Sequence, residues 1–288
     1  MHTAGKAITV LGLACVPACF GGATADEGMG DRVGAVSSEL VTDNRIALNR
    51  IALNRIALNR IALNRIALNR IALNRIALNR IALNGSAVGD LSATDEGREI
   101  LQYVVECALP AGVTLVGSHG GTEYEFEGAI GLAPSWLRGS LDRAGQRWVS
   151  ACLLARVNAH GVSVQISMRG PHRALRASDD EMATFTLEEG AFWGNVFTRE
   201  EDFNACRGAD QAAGETGGLE NRDCTEPDAA RQGTTVCGFQ FAGECAGTGR
   251  RGACRGYDDE TMSYERCSAD GDRRGHARRE VITVFVKP

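Results

Sequence analysis

Eight cysteines follow the first hundred residues of this 288-residue chain, at positions 107, 152, 206, 224, 237, 245, 254 and 267, and they limit its folding more than any other feature. An even set becomes a disulfide framework once the chain leaves a reducing cytosol. The amino-terminal residues point to that exit. Met1 to Lys6 is short and basic, and Ala7 to Val16 is apolar but too short to span a bilayer, so residues 1–25 read as a secretory signal. Two processing patterns are written there. Val16-Pro17-Ala18-Cys19 fits a lipoprotein box, which would place a lipid on Cys19, and Ala23-Thr24-Ala25 fits ordinary cleavage before Asp26. The lipoprotein route is preferred, with Cys19 as a chance residue in a discarded signal as the alternative. Either route leaves Cys107, Cys152, Cys206, Cys224, Cys237, Cys245, Cys254 and Cys267 to pair as four bridges. They show no Cys-x-x-Cys and no Cys/His alternation, so the usual spacings for zinc, thioredoxin-like chemistry and covalent haem are missing, and no metal or cofactor is expected.

After a linker over residues 26–43, the unit Asn-Arg-Ile-Ala-Leu recurs eight times from Asn44 to Leu83, and Asn84-Gly85 closes the array. Identity this strict fits a segment tolerant of copy number, which suits a spacer or repetitive surface better than a catalytic part. On an α-helix five residues advance about 140° past a full turn, so the apolar positions sweep round the axis without forming a stripe. On a strand the odd period sends successive isoleucines to opposite faces. A helix remains the first expectation, since Ala, Leu and Arg favour it, Thr42 or Asp43 can cap its start and Gly85 its end. An irregular spacer comes second.

In the frame Ile46-Ala47-Leu48-Asn49-Arg50 the repeat partly resembles pentapeptide-repeat proteins, whose central residue is large, apolar and inward-facing. Ile46 and Ala47 depart from that family's small residue and Asn or Asp before the centre, and the eight units would build only two four-sided coils. A solenoid therefore ranks third. The arginines from Arg45 to Arg80 make the array cationic, able to meet anionic lipid or polysaccharide or simply to keep an apolar repeat soluble. Any twenty-residue window holds four of them, each costing about 2.5 kcal/mol or more at a bilayer centre, so the array does not span a membrane. No later run is long and apolar enough to form a transmembrane helix. The net charge of −5 and the near absence of lysine, only Lys6 and Lys287, name no partner and give no sign of nucleic-acid binding.

Residues 85–288 read as an α+β module with two helices, a small mainly antiparallel sheet and a cysteine-rich lobe over 202–279. Ser92 or Thr94 with Asp95 and Glu96 opens a helix that runs to about Leu109, where Pro110 stops it; Asp142 to Asn158 is the second. Cys107 and Cys152 sit on their inner faces, a natural helix-to-helix bridge, although eight cysteines allow on the order of a hundred pairings. Val113 to Val116 and Thr122 to Glu127 flank a Gly-rich tip as a hairpin, with Tyr124 and Phe126 on one face. Val162 to Met168 alternates as a strand; Ser178 and Glu181 resemble a capping box; extended segments follow around Thr184–Leu187 and Ala191–Thr198. Glu280 to Val286 is a last strand that can return to the earlier sheet. The lobe has too few apolar runs to hold itself by burial, so bridges must supply much of its order.

Chemistry is sparsely written. His119, in Gly117-Ser118-His119-Gly120-Gly121, is the weak candidate for a catalytic base beside Ser118, Glu123 or Glu125, but the order is not a Gly-x-Ser-x-Gly elbow. The acid pairs Asp179-Asp180, Glu188-Glu189, Glu200-Glu201 and Asp258-Asp259 read as solvated faces, and Asp270-Gly271-Asp272 falls short of a calcium loop. Trp148 is expected in the core, leaving Trp136 and Trp193 as possible glycan-stacking rings.

The tandem repeat joined to Glu96-Gly97-Arg98-Glu99, Glu106-Cys107-Ala108-Leu109-Pro110 and Leu187-Glu188-Glu189-Gly190-Ala191-Phe192 resembles exported proteins of myxobacteria. That resemblance covers Asn44 onward and implies an envelope location, with no activity, fold or site residue attached. The expected role is that of a non-catalytic structural or binding protein, in the outer envelope or periplasm as a lipoprotein, or secreted. Envelope polysaccharide or an anionic lipid surface is the expected partner. The alternative is a secreted hydrolase using His119 and a nearby carboxylate.

Overall fold

The computed structural model of the chain describes residues 85–160, 164–198, 202–247, 252–269 and 277–288. The signal with Cys19, the linker, the repeat, Glu200-Glu201 and Asp270-Gly271-Asp272 lie outside them. Helix α1 spans Gly85–Ser92 and α2 spans Asp95–Ala108. Thr94 is the cap between them: its hydroxyl accepts the Gly97 N–H at 3.0 Å, and Asp95 and Glu96 place negative charge in the first turn of α2. Helix α3, Arg143–Ala155, starts in the same way, with Asp142 accepting the Gly145 N–H at 2.7 Å. It is shorter than the Asp142–Asn158 expected, because Arg156 already bonds as a cap and the chain turns there. Asp142→Ala should cost about 1 kcal/mol of stability, measured by urea unfolding, since it orphans a first-turn donor.

Cys107 of α2 and Cys152 of α3 are bridged, with Cα atoms 6.0 Å apart. Both are fully buried, as are Leu101, Val104 and Val105 of α2 and Val149 and Leu154 of α3. The hairpin β1 (Thr114–His119) and β2 (Thr122–Glu127) is antiparallel and packs on α1 and α2. Phe126 is buried and Tyr124 half-buried on that side, as their alternation predicts. Gly117 permits the contact, because a Cβ there would come within 2.4 Å of Val88.

The main sheet has five strands in the order β3-β9-β4-β5-β6, with β3 at Ile166–Arg169, β4 at Leu187–Gly194, β5 at Phe203–Arg207, β6 at Gln240–Glu244 and β9 at Ile282–Val286. Its pairings are antiparallel except β5 with β6, which is parallel. Helices α4 (Asp179–Thr184) and α5 (Ala209–Ala213) lie before and after the β4–β5 pair in sequence. The Ser178 hydroxyl caps α4 at the Glu181 N–H, so the capping-box reading names the right turn. One face of the sheet carries Ile166, Met168, Phe192, Ala205, Ile282, Val284 and Val286 into the core shared with α3. The other carries Ala191, Trp193 and Cys206 under a second hairpin, β7 (Cys254–Asp258) with β8 (Ser263–Cys267).

The cysteine-rich stretch is thus partly sheet and partly the cover of that sheet. Three bridges fasten it: Cys206–Cys245 ties β5 to the end of β6, Cys224–Cys237 closes a loop, and Cys254–Cys267 pins the β7–β8 hairpin. Trp136 and Trp193 are both 1 % exposed, so they are core residues, whereas Trp148 is half-buried and tilts against His172 at 5.0 Å. Trp148, expected in the core, packs only at its edge, and the two tryptophans left open by the sequence are the buried ones. Trp148 directly precedes Val149 on α3 and packs from the rim against the core that Val149 and Cys152 enter. No helix among the described residues is long and apolar enough to cross a membrane.

Candidate functional site

His119 ends β1 at the exposed hairpin tip, paired with Thr122. Residues directly opposite in an antiparallel pair project to the same side, and sides alternate along each strand. His119 therefore shares a face with Thr122, Tyr124 and Phe126, while Ser118, Glu123 and Glu125 project from the other. The hairpin register separates the imidazole from the hydroxyl and carboxylates that a hydrolytic site there would use. The eight cysteines of the described residues are all engaged in bridges. Cys206, Cys254 and Cys267 bring their sulfurs within 4.8 Å of one another, as two bridges stacked between sheet and hairpin, with Cys206 Sγ 3.4 Å from Cys254 Sγ.

The convergent polar groups lie elsewhere, at Glu188 and Glu189, which sequence reasoning placed in solvent. The register of β4 against β9 shifts between Glu188 and Gly190, so Glu189 is an extra residue in a β-bulge. Gly190 follows at φ 151°, and a Cβ there would come within 2.1 Å of the Cys206 carbonyl oxygen. The bulge buries both carboxyls, on opposite sides of the sheet. Glu189 turns toward α3 and is fully buried against Arg222, whose Nε and Nη2 stand 2.9 and 2.8 Å from its Oε2; Nη2 also donates to the Ala155 carbonyl. Burial pushes the Glu189 carboxyl up, and the guanidinium pulls it back. A second buried pair, Arg156 Nη2 to Glu106 Oε2 at 2.5 Å, lies beside the Cys107–Cys152 bridge under Tyr103.

Glu188 turns to the hairpin side. Its Oε1 accepts the Tyr264 hydroxyl at 3.1 Å, and its N–H donates to Asp210 of α5 at 2.6 Å. Tyr264 meets Tyr257 edge-on at 5.0 Å, and Tyr257 is 40 % exposed, making the ring the outer wall of the cluster. Across the sheet, Glu188 and Ser167 flank Phe285 in register, and Arg169 lies 4.0 Å over the Phe285 ring. Glu188, Tyr257, Tyr264 and Arg169 are thus gathered on one face from β4, β7, β8 and β3. Burial raises the Tyr264 phenol well above its ordinary value and pushes Tyr257 up to about 12.

Burial also pushes Glu188 from 4.5 up to about 7, with Asp210 adding to the shift and the Tyr264 hydrogen bond opposing it. A folded carboxyl that holds its proton more tightly than the unfolded chain favours the fold at low pH. Its contribution is complete below pH 4.5 and is lost as pH rises toward about 7. Glu188→Gln should flatten this decline, leaving the part that Glu189 supplies. Urea midpoints across that window check it, and an unchanged slope would show that Glu188 does not titrate there.

Compared with known proteins, the chain matches no family model, no curated protein and no solved structure. The polar cluster had a weak signal in sequence, the acid pair Glu188-Glu189 inside an otherwise apolar stretch before Phe192 and Trp193. A solvated pair does not sit well in such a run, and that inconsistency was the available clue.

Proposed function

We propose that this chain is an exported, non-catalytic binding protein of the cell envelope, held by a lipid on Cys19 or secreted, whose repeat is a spacer or surface arm for an outward-facing folded module. The observation that carries this reading is the pairing of all eight cysteines after the repeat into four bridges, a state that a reducing cytosol does not sustain. Envelope polysaccharide or an anionic lipid surface is the partner that the cationic repeat suits. One buried ion pair ties α2 to the end of α3 and the other ties β4 through Arg222 to the end of α3, which fits a rigid scaffold. The hydrolase reading with His119 loses its nearest carboxylates to the opposite face of the hairpin.

The test uses the full chain and a version lacking residues 44–83, assayed for binding to isolated envelope polysaccharide and anionic vesicles, and for hydrolysis of generic ester, peptide and glycoside substrates. Binding without turnover is expected, weakened when the repeat is removed. Turnover abolished by His119→Ala with all four bridges intact would replace this reading with the hydrolase.

A further inference from the structure

Three arginines are buried among the described residues, and they are not alike. Arg156 and Arg222 each hold a glutamate. Arg169, 0 % exposed, forms no ion pair with a carboxylate of the described residues; Nε donates to Ser167 Oγ at 2.9 Å and Nη2 to the Phe185 carbonyl at 2.6 Å. Its remaining nitrogen, Nη1, points at the Met262 thioether at 3.1 Å, a weak acceptor for a guanidinium. Ser167 donates in turn to Glu181 Oε1 at 2.8 Å, so an acid reaches Arg169 only through a hydroxyl. Met262 stands near the tip of the β7–β8 hairpin at φ 47°, and it is the one non-glycine residue at positive φ among the described residues. Backbone strain of this kind persists where the surroundings enforce it, and it gathers at ligand clamps.

The geometry points to a carboxylate-binding site in which Met262 occupies the ligand's place on Arg169 and Tyr257 supplies a neighbouring hydroxyl group. This rests on the reading of the folded region as a binding module and names the chemistry it binds. Met262 is only half-buried and sits on a turn, so an incoming anion displaces it without opening the core. The guanidinium then exchanges a thioether for a charged planar acceptor, a charge-assisted hydrogen bond about twice as strong as a neutral one. The class of anion follows from the neighbours. The groups facing Glu188 are Tyr264 from β8, Tyr257 from β7 and Asp210 from α5, with Arg169 from β3 acting on Tyr257. Asp210 and Glu181, with Glu188 when it is ionised, repel a dianion such as sulfate or phosphate more strongly than a monoanion. A monoanionic carboxylate meets less of this repulsion. Protonation of Glu188, which lies on the same face as Tyr257 and Arg169, removes one of the repelling charges, so binding tightens as pH falls below about 7.

Acetate titrated calorimetrically into the full chain is the first probe, with sulfate as the dianion. Glucuronate against glucose, and dialanine against its amide, then separate a sugar acid from a peptide terminus as the source. Met262→Gly suits the positive φ and removes the thioether, so it should bind acetate about tenfold more tightly while keeping the fold. Arg169→Gln should abolish binding; if that variant does not fold, Met262→Gly and the pH series decide. Saturable acetate binding that strengthens in Met262→Gly and at low pH is the expected result. No saturable binding by either protein, equal affinity for sulfate, or an affinity indifferent to Met262→Gly would overturn the site. Polysaccharide binding that survives such a failure leaves the envelope reading standing, and loss of both removes both.

Discussion

Replacing Cys107 and Cys152 together with alanine is expected to lower stability by about 4 kcal/mol, because the bridge closes a 45-residue separation whose freedom the unfolded chain then regains. Both residues are 0 % exposed between α2 and α3, so the substitution also opens space in the packed core, next to the Arg156–Glu106 pair. The Cys206–Cys245 pair, separated by 39 residues, should cost nearly as much, and the two 13-residue loops about 3 kcal/mol each by the same argument. Urea unfolding of each double variant beside the oxidised native chain measures this directly. A loss below about 1 kcal/mol for Cys107/Cys152 would mean that the helices hold their places without the bridge.

Arg222→Met should be comparably severe, at about 3 to 5 kcal/mol, because it strands the Glu189 carboxylate in a site with no exposure. The loss should be smaller at low pH, where the stranded carboxyl takes up a proton. Met at both positions removes the uncompensated charge, and the double variant should recover much of the stability. A double-mutant cycle over pH separates the two effects. Equal and additive losses from the two single variants would show that the carboxylate and guanidinium do not depend on each other.

Much of the helical part was legible because its signals are local. Thr94, Asp142 and Ser178 cap within three residues of themselves, Pro110 follows the end of α2, and the apolar spacing of Val149, Cys152 and Leu153 marks the face that meets Cys107. The β1–β2 hairpin and the strand ending at Val286 were legible from alternation. The parallel pairing of β5 with β6 was not, since their partners lie more than thirty residues apart and neither strand carries a long apolar run. The sites were less legible still. Arg169, Glu188, Tyr257 and Tyr264 are brought together by the sheet register and a covering hairpin, and each alone in sequence is an ordinary surface residue. Glu188 and Glu189 mislead for a further reason: a bulge gives two adjacent acids two separate interiors, which pattern alone assigns to one wet face.

The placement of β9 governs when this molecule can become itself. Its residues are the last in chain order among the strands, yet they lie between β3 and β4, pairing with both. Until residue 286 has been synthesised, β3 has no neighbour in the sheet and the Ser167–Phe285–Glu188 row does not exist. A growing chain therefore lacks the strand that joins β3 to β4 until that point. On the proposed route of export, such a precursor would be threaded through a membrane before it folds and would meet the oxidising side with its thiols still free to choose partners.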